Sequence, residues 1–178
     1  VSTMWASDAY GNSGFTNGAW EFGGTPVSTR DYEVGTMMLR SPFNGNSTFP
    51  GRSPSLTGGK LHLNGNTAKT TTISDLRLNG GEVGSFAEGG ATQTLAGQIS
   101  LSNWNVNQMR GGWGPMIISA NITGLGIMLY TENAVTLTAN NPGYTGATWI
   151  GDGRFSTLKI SNETNLGANP PSYGGDWL

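Results

Sequence analysis

Short apolar-x-apolar runs, punctuated by glycine and asparagine, constrain this chain more than any other feature. Leu61/Leu63, Leu76/Leu78, Ile99/Leu101, Ile127/Leu129, Val135/Leu137 and Leu158/Ile160 each alternate with other residues. A period of two puts both apolar side chains of a run on one side of a strand. The runs are flanked by Gly58-Gly59, Asn64-Gly65, Gly80-Gly81, Gly89-Gly90, Asn140-Asn141 and Gly151-Asp152-Gly153. Gly and Asn tolerate the positive φ of tight corners, so these are turns with a mechanism. Gly, Asn, Thr or Ser interrupts every window of helical length, and no amphipathic helix is expected.

An all-β chain of this pattern has two solutions. Alternation closed by hairpins gives an antiparallel β-sandwich. Repetition at a fixed step gives a right-handed parallel β-helix, a solenoid whose coils stack their apolar faces. Leu63 to Leu78 is a step of about fifteen residues, and Leu78 to Leu101 and Leu137 to Ile160 are steps of just over twenty, a loose period. The phrase apolar-x-apolar-Asn-Gly recurs at Leu61–Gly65 and Leu76–Gly80 and favours the solenoid. One domain spanning 1–178 is expected, with 1–40 as an N-terminal cap and 41–178 as coils. Leu61, Leu63, Leu76, Leu78, Ile99, Leu101, Ile122, Val135, Leu137, Leu158 and Ile160 should point inward. Tyr32 to Pro42 reads as the first long strand. The segment before it carries Trp5, Tyr10, Phe15, Trp20 and Phe22, which suits either a cap over the open end of the stack or a sugar-binding surface.

Composition narrows the partners. Only 11% of residues are charged, against about 25% in an ordinary globular protein, and 29 of the 178 are Gly. The net charge is −2 and no run of Lys or Arg occurs, which argues against nucleic acid. Cysteine is absent, so there is no disulfide framework and no thiolate metal site. No apolar run approaches the roughly 20 residues that span a bilayer, so no membrane insertion is expected. A polar, uncharged surface rich in amides and aromatic rings suits neutral, hydroxyl-rich partners, or copies of the chain itself.

One stretch has a family likeness. Ile122–Leu158 carries Gly124/Gly126, then Val135-Thr136-Leu137-Thr138, then Asn141, Tyr144-Thr145-Gly146, Thr148, Ile150 and Gly153. This resembles the autotransporter-associated β-strand repeat over about forty residues, and Leu56–Leu101 resembles it more loosely. The likeness departs at Pro142 and at Met128-Leu129-Tyr130. It implies a parallel β-helix in a secreted or surface protein of bacteria, with no catalytic residues of its own. The end of the chain, from Asn165, resembles the point where such chains enter another coil, which implies a modular piece or an edge that self-association completes.

Catalytic constellations are thin. The single His62 lies between Leu61 and Leu63, hence on the opposite face, and no nucleophile-elbow phrase accompanies it. Asp31 and Glu33 share a strand face, and Glu82 and Glu88 flank a Gly-rich loop. Neither pair marks a glycosidase, which needs two carboxylates about 5–10 Å apart across a substrate. No dense Asp cluster marks calcium, although Gly151-Asp152-Gly153 could donate one ligand. No catalytic residue and no cofactor is expected.

Aromatics are the better candidates: Trp104, Trp113, Tyr144, Trp149, Tyr173 and Trp177, with the N-terminal set. Ser102–Pro115 holds two Trp among three Asn, Gln108 and Arg110, and reads as a long insertion between coils. Trp104, Asn105, Asn107, Arg110 and Trp113 are the expected sugar contacts, with Arg110 able to bind a sulfate or carboxylate on the glycan. The alternative is that a Trp folds back as loop packing. The sequence thus points to a non-catalytic extracellular or cell-surface module that binds a polysaccharide. The alternative is a structural subunit or passenger segment of a surface or filament protein, self-associating through its open coil ends.

Overall fold

The computed structural model describes residues 1–151 and 155–168. Its strands are β1 (Ser2–Thr3), β2 (Asp31–Gly35), β3 (Met38–Arg40), β4 (Ser47–Thr48), β5 (Ser53–Leu56), β6 (Lys60–Gly65), β7 (Lys69–Leu78) and β8 (Glu82–Ala87). They continue as β9 (Gln93–Leu101), β10 (Val106–Arg110), β11 (Met116–Ile118), β12 (Asn121–Gly124), β13 (Ile127–Thr131), β14 (Asn133–Leu137), β15 (Ala147–Ile150) and β16 (Ser156–Ile160). The one α-helical turn among the described residues is α1 (Gly14–Asn17).

Every strand pairing is parallel, and partners lie one coil apart, as in Leu39↔Leu61↔Val83. The chain is a parallel β-solenoid of about six turns, not a sandwich. Each coil has three faces. Face one holds β1, β2, β5, the second halves of β7 and β9, and β12. Face two is the six-stranded sheet in the order β15-β13-β10-β8-β6-β3. Face three holds β4, the first halves of β7 and β9, then β11, β14 and β16. β7 and β9 are long because they turn the corner between faces three and one, with a register shift between Ile73 and Leu76.

Of the residues expected inside, nine are buried: Leu61, Leu63, Leu76, Leu78, Ile99, Leu101, Ile122, Val135 and Leu137. Leu158 is only partly buried and Ile160 is 42% exposed. Both belong to β16 on the last coil, where no further coil covers them among the described residues. The fifteen-residue step from Leu63 to Leu78 is not a coil. Leu63 lies on face two and Leu78 on face one, so their shared Asn-Gly phrase marks two different corners of the solenoid. Alternation alone does not say which face a run belongs to. Tyr32–Pro42 is likewise two strands, β2 and β3, turned at Gly35 (φ 61°), so coil formation begins at Asp31.

The segment before β2 closes the first coil. Phe15 and Trp20 are buried and pack edge-to-face on Phe49 and Tyr32, with ring centroids 5.1 and 4.8 Å apart. Trp20 Nε1 donates to Gly14 O at 2.9 Å. Gly14 has no room for a side chain, because a Cβ there would sit 2.5 Å from Leu39. This segment also covers both strand edges. Met4 bridges Trp20 antiparallel beside β1, and Asp8 N donates to Met38 O beside β3. Asp8 Oδ2 accepts from Gly14 N and Arg40 N at 2.6 and 2.9 Å. Trp5, Tyr10 and Phe22 face solvent.

Polar groups inside the solenoid are hydrogen-bonded to the corners. Asn141 accepts from Ile122 N and donates to Asn165 O at 2.7 and 2.6 Å, and Asn165 in turn donates to Ala139 O. Lys69 Nζ donates to the carbonyls of Pro42 and Phe43, and burial pushes its pKa down to about 8.

Candidate functional site

Ser102–Pro115 is not an insertion. Its centre is β10, an ordinary strand of face two paired with β8 and β13. Its alternation was hidden because an asparagine takes an inward position. Asn107 is fully buried, accepts from Gly80 N at 2.9 Å and donates to Asn105 O at 2.9 Å. It is a corner tie and offers nothing to a ligand. Asn105 donates to Asn79 of the preceding coil. Trp104 and Trp113 are both exposed, but they stand at opposite ends of β10. The strand alone keeps them about 13 Å apart at roughly 3.3 Å per residue, so they cannot flank one sugar ring.

Arg110 is also committed. Its Nε donates to Glu132 Oε2 at 2.6 Å and its Nη1 lies 3.6 Å from Glu82 Oε1. Glu82 is paired with Lys60 as well, at 3.1 Å. The arginine faces two carboxylates, so a sulfate or carboxylate ligand would have to displace one of them.

What face two does offer is a strip of rings at the corner toward face three. His62 stacks on Phe86 with centroids 3.6 Å apart and planes 21° from parallel. Phe86 is tilted against Trp113, centroids 5.7 Å apart, and Trp113 is 63% exposed. The Phe86 ring lies over Gly84, where a Cβ would meet it at 2.6 Å, and Arg110 sits 5.5 Å from its centroid. On the earlier coils Tyr10 packs edge-on to Phe43 and its hydroxyl donates to Glu88. On the later coils an open cleft is lined by Gly112, Glu132, Asn133 and Phe155, the last 97% exposed. Glu132 and Asn133 bend this corner with φ of 44° and 60°, unusual for non-glycine residues. Phe86 and Trp113 thus lie on consecutive coils, with Phe43 two coils before Phe86 and Phe155 two coils after Trp113; His62 occupies the coil between Phe43 and Phe86.

His62 is on the outward face, as its place between Leu61 and Leu63 requires, but Phe86 leaves it only 5% exposed. Burial, together with the charges of Arg40, Lys60 and Arg110, pushes its pKa down to about 3. The imidazole is neutral at ordinary pH and neither nitrogen has a hydrogen-bond partner among the described residues.

The other singled-out residues are dispersed. Tyr144 is buried and donates to Gly126 O, and burial raises its pKa to about 12. Trp149 is exposed on β15, across from Leu129. Asp31 is held far below the usual carboxylate range by Arg52 and Ser53, and Glu33 accepts from Gly35 N and Thr57 Oγ1. Among the described residues no three His, Asp or Glu side chains group as a metal site. Asp152, Gly153, Tyr173 and Trp177 lie outside the described residues.

The molecule is thus a capped parallel β-solenoid with a ring strip along one corner. No protein-family model, no curated protein and no solved structure matches the chain.

Proposed function

We propose that the protein is a non-catalytic, extracellular carbohydrate-binding module that holds a polysaccharide along the ring strip of face two. The carrying observation is the stack His62–Phe86–Trp113, continued by Tyr10 and Phe43 on one side and by the Phe155 cleft on the other. Coils rise about 4.8 Å each, so the strip is long enough for several linked sugars. The C–H faces of sugar rings pack on aromatic faces, and their hydroxyls find the exposed Glu88 and Asn133 beside the rings. With Arg110 neutralised by Glu82 and Glu132, a neutral glycan suits the strip better than a sulfated one. The likeness of Ile122–Leu158 to the autotransporter-associated repeat supports a bacterial cell-surface setting. Binding without turnover fits carboxylates already engaged by Lys, Arg, Tyr or backbone groups.

Affinity electrophoresis in gels of neutral polysaccharides tests this. Trp113→Ala and Phe86→Ala should each weaken binding by about 1–3 kcal/mol, roughly 5- to 150-fold, with unchanged circular dichroism. Trp104→Ala, at the other corner, should leave strip binding as it was. Steady release of reducing ends or unsaturated sugars would overturn the non-catalytic part. The exposed last coil favours a second reading, a structural or passenger segment that grows by stacking. Failure of the parent to bind any glycan, with scattering that rises with concentration, would put that reading first.

A further inference from the structure

Asparagine followed by glycine occurs four times in the sequence, at Asn17-Gly18, Asn44-Gly45, Asn64-Gly65 and Asn79-Gly80. The pair is chemically special because glycine has no Cβ to keep its backbone nitrogen away from the asparagine side chain before it. The fold holds three of the four. Asn64 and Gly65 are buried in β6, paired with Phe86 and Ala87 of β8, and Asn64 Oδ1 accepts from Arg40 Nη1 at 3.4 Å. Gly80 N donates to Asn107 Oδ1 at 2.9 Å, and Asn79 Oδ1 accepts from Asn105 Nδ2. Asn17 ends α1 and its N–H donates to Ser13 O at 3.0 Å. Gly18 is wedged between Gly14 and the Trp20 indole, where a Cβ would sit 2.6 Å from each. Asn44-Gly45 is different. Both residues are exposed in the loop between β3 and β4, and Gly45 (φ 68°) has open space where a Cβ would stand. Neither has a hydrogen-bond partner among the described residues. The residues on either side are tied: Phe43 O accepts from Lys69 Nζ, and Asn46 Oδ1 accepts from Thr70 N at 2.8 Å.

We infer that Asn44 is a site of spontaneous deamidation and that the solenoid protects the other three Asn-Gly pairs. Gly45 N gives its proton to water or hydroxide and attacks Asn44 Cγ. The Cγ–Nδ2 bond breaks, ammonia leaves, and a succinimide ring joins side chain to backbone. Water then opens the ring at either carbonyl. One opening leaves aspartate at this position; the other runs the main chain through the former side chain and leaves isoaspartate. Water enters and ammonia departs, with no change of oxidation state and no enzyme required. Ring closure must turn the peptide between the two residues. At Asn44 that breaks no hydrogen bond. At Asn64 it pulls a peptide out of the β6–β8 ladder, at Asn79 it takes the Gly80 N–H from Asn107, and at Asn17 it disturbs the last turn of α1 beside Trp20. Local opening that costs as little as about 1.4 kcal/mol slows a site about tenfold. The product carries one more negative charge than the parent. That charge arises beside Phe43, at the early end of the ring strip, where Pro42–Thr48 has no charged side chain.

Trypsin places each Asn-Gly pair in its own peptide: Val1–Arg30, Ser41–Arg52, Leu61–Lys69 and Leu78–Arg110. The full chain is held at mildly alkaline pH, sampled over days, digested and read by mass spectrometry, beside a sample unfolded in urea. Fragment ions assign the change in Ser41–Arg52 to Asn44 or to Asn46. In the folded chain Asn44 should convert about tenfold or more faster than the other three sites. In urea the four should convert at comparable rates, which assigns the difference to the fold. Asn44→Gln, whose longer side chain closes its larger ring far more slowly, should remove the drift toward lower isoelectric point that the parent shows. A folded chain in which Asn44 converts no faster than Asn17, Asn64 or Asn79 overturns the inference. So does an equal lead of Asn44 in urea, or an acid drift that Asn44→Gln leaves at the parent's rate.

Discussion

The two ends of the solenoid solve one problem differently. A stack of coils leaves an unpaired edge and an uncovered core at each end. At the first coil the chain folds back: Met4–Trp20 and Asp8–Met38 occupy the edges of β1 and β3, and Phe15 and Trp20 cover the core. At the last coil β15 and β16 have no further partner among the described residues, and Ile150, Phe155 and Ile160 meet solvent. Among the described residues the same repeat is therefore a covered surface at one end and an open edge at the other. Stability should be greatest where neighbours lie on both sides and should fall toward β16.

The sharpest way to break the comparison is Trp20→Ala. It empties the largest fully buried side chain of the closed end and should cost about 3–5 kcal/mol in urea unfolding. A loss near zero would mean that the aromatic cluster does not hold that end. Next comes Asn141→Ala, which removes the amide joining the last two coils. Stranding Ile122 N and Asn165 O should cost about 1–3 kcal/mol, with faster amide exchange in β16 than in β6.

Acid should act away from both ends. His62 keeps a folded pKa near 3 against an ordinary value of 6.5. Between those values the unfolded chain binds a proton that the folded chain refuses, so stability is full above pH 6.5 and falls as pH drops toward 3. His62→Phe should flatten that fall between pH 6.5 and 4, and an unchanged slope would assign acid lability elsewhere. The smallest effect is expected from Ile160→Ala, at the open end, within about 0.5 kcal/mol because the side chain is already half in water. A cost of several kcal/mol would show that something covers β16 in solution.

Much of this was legible in the sequence, but not evenly. Leu78 and Leu101, and Leu137 and Ile160, are true coil neighbours, and their spacing was correct. The repeat blurred because a coil has three corners and similar Asn-Gly turns serve more than one. In the sequence β10 looks like a loop because Asn107 takes a core position, a choice that makes sense only once Gly80 and Asn105 are beside it. Taken as a loop, the segment would bring Trp104 and Trp113 together; as a strand it holds them apart. The ring strip could not be read at all, because His62, Phe86 and Trp113 come together only through coil register.

The unbroken register from β9 to β14 also limits how such a chain can change length. Side chains alternate with a period of two, so removing one residue inside β9 would turn Leu95 outward and Thr94 inward. The corners can absorb a residue, as the shift between Ile73 and Leu76 does, but a strand cannot. Whole coils are the natural unit of gain or loss. Duplicating the segment from β10 to β12 would lengthen every face by one row and leave both ends as they are, whereas a single-residue deletion in β9 would be felt by each coil that pairs with it.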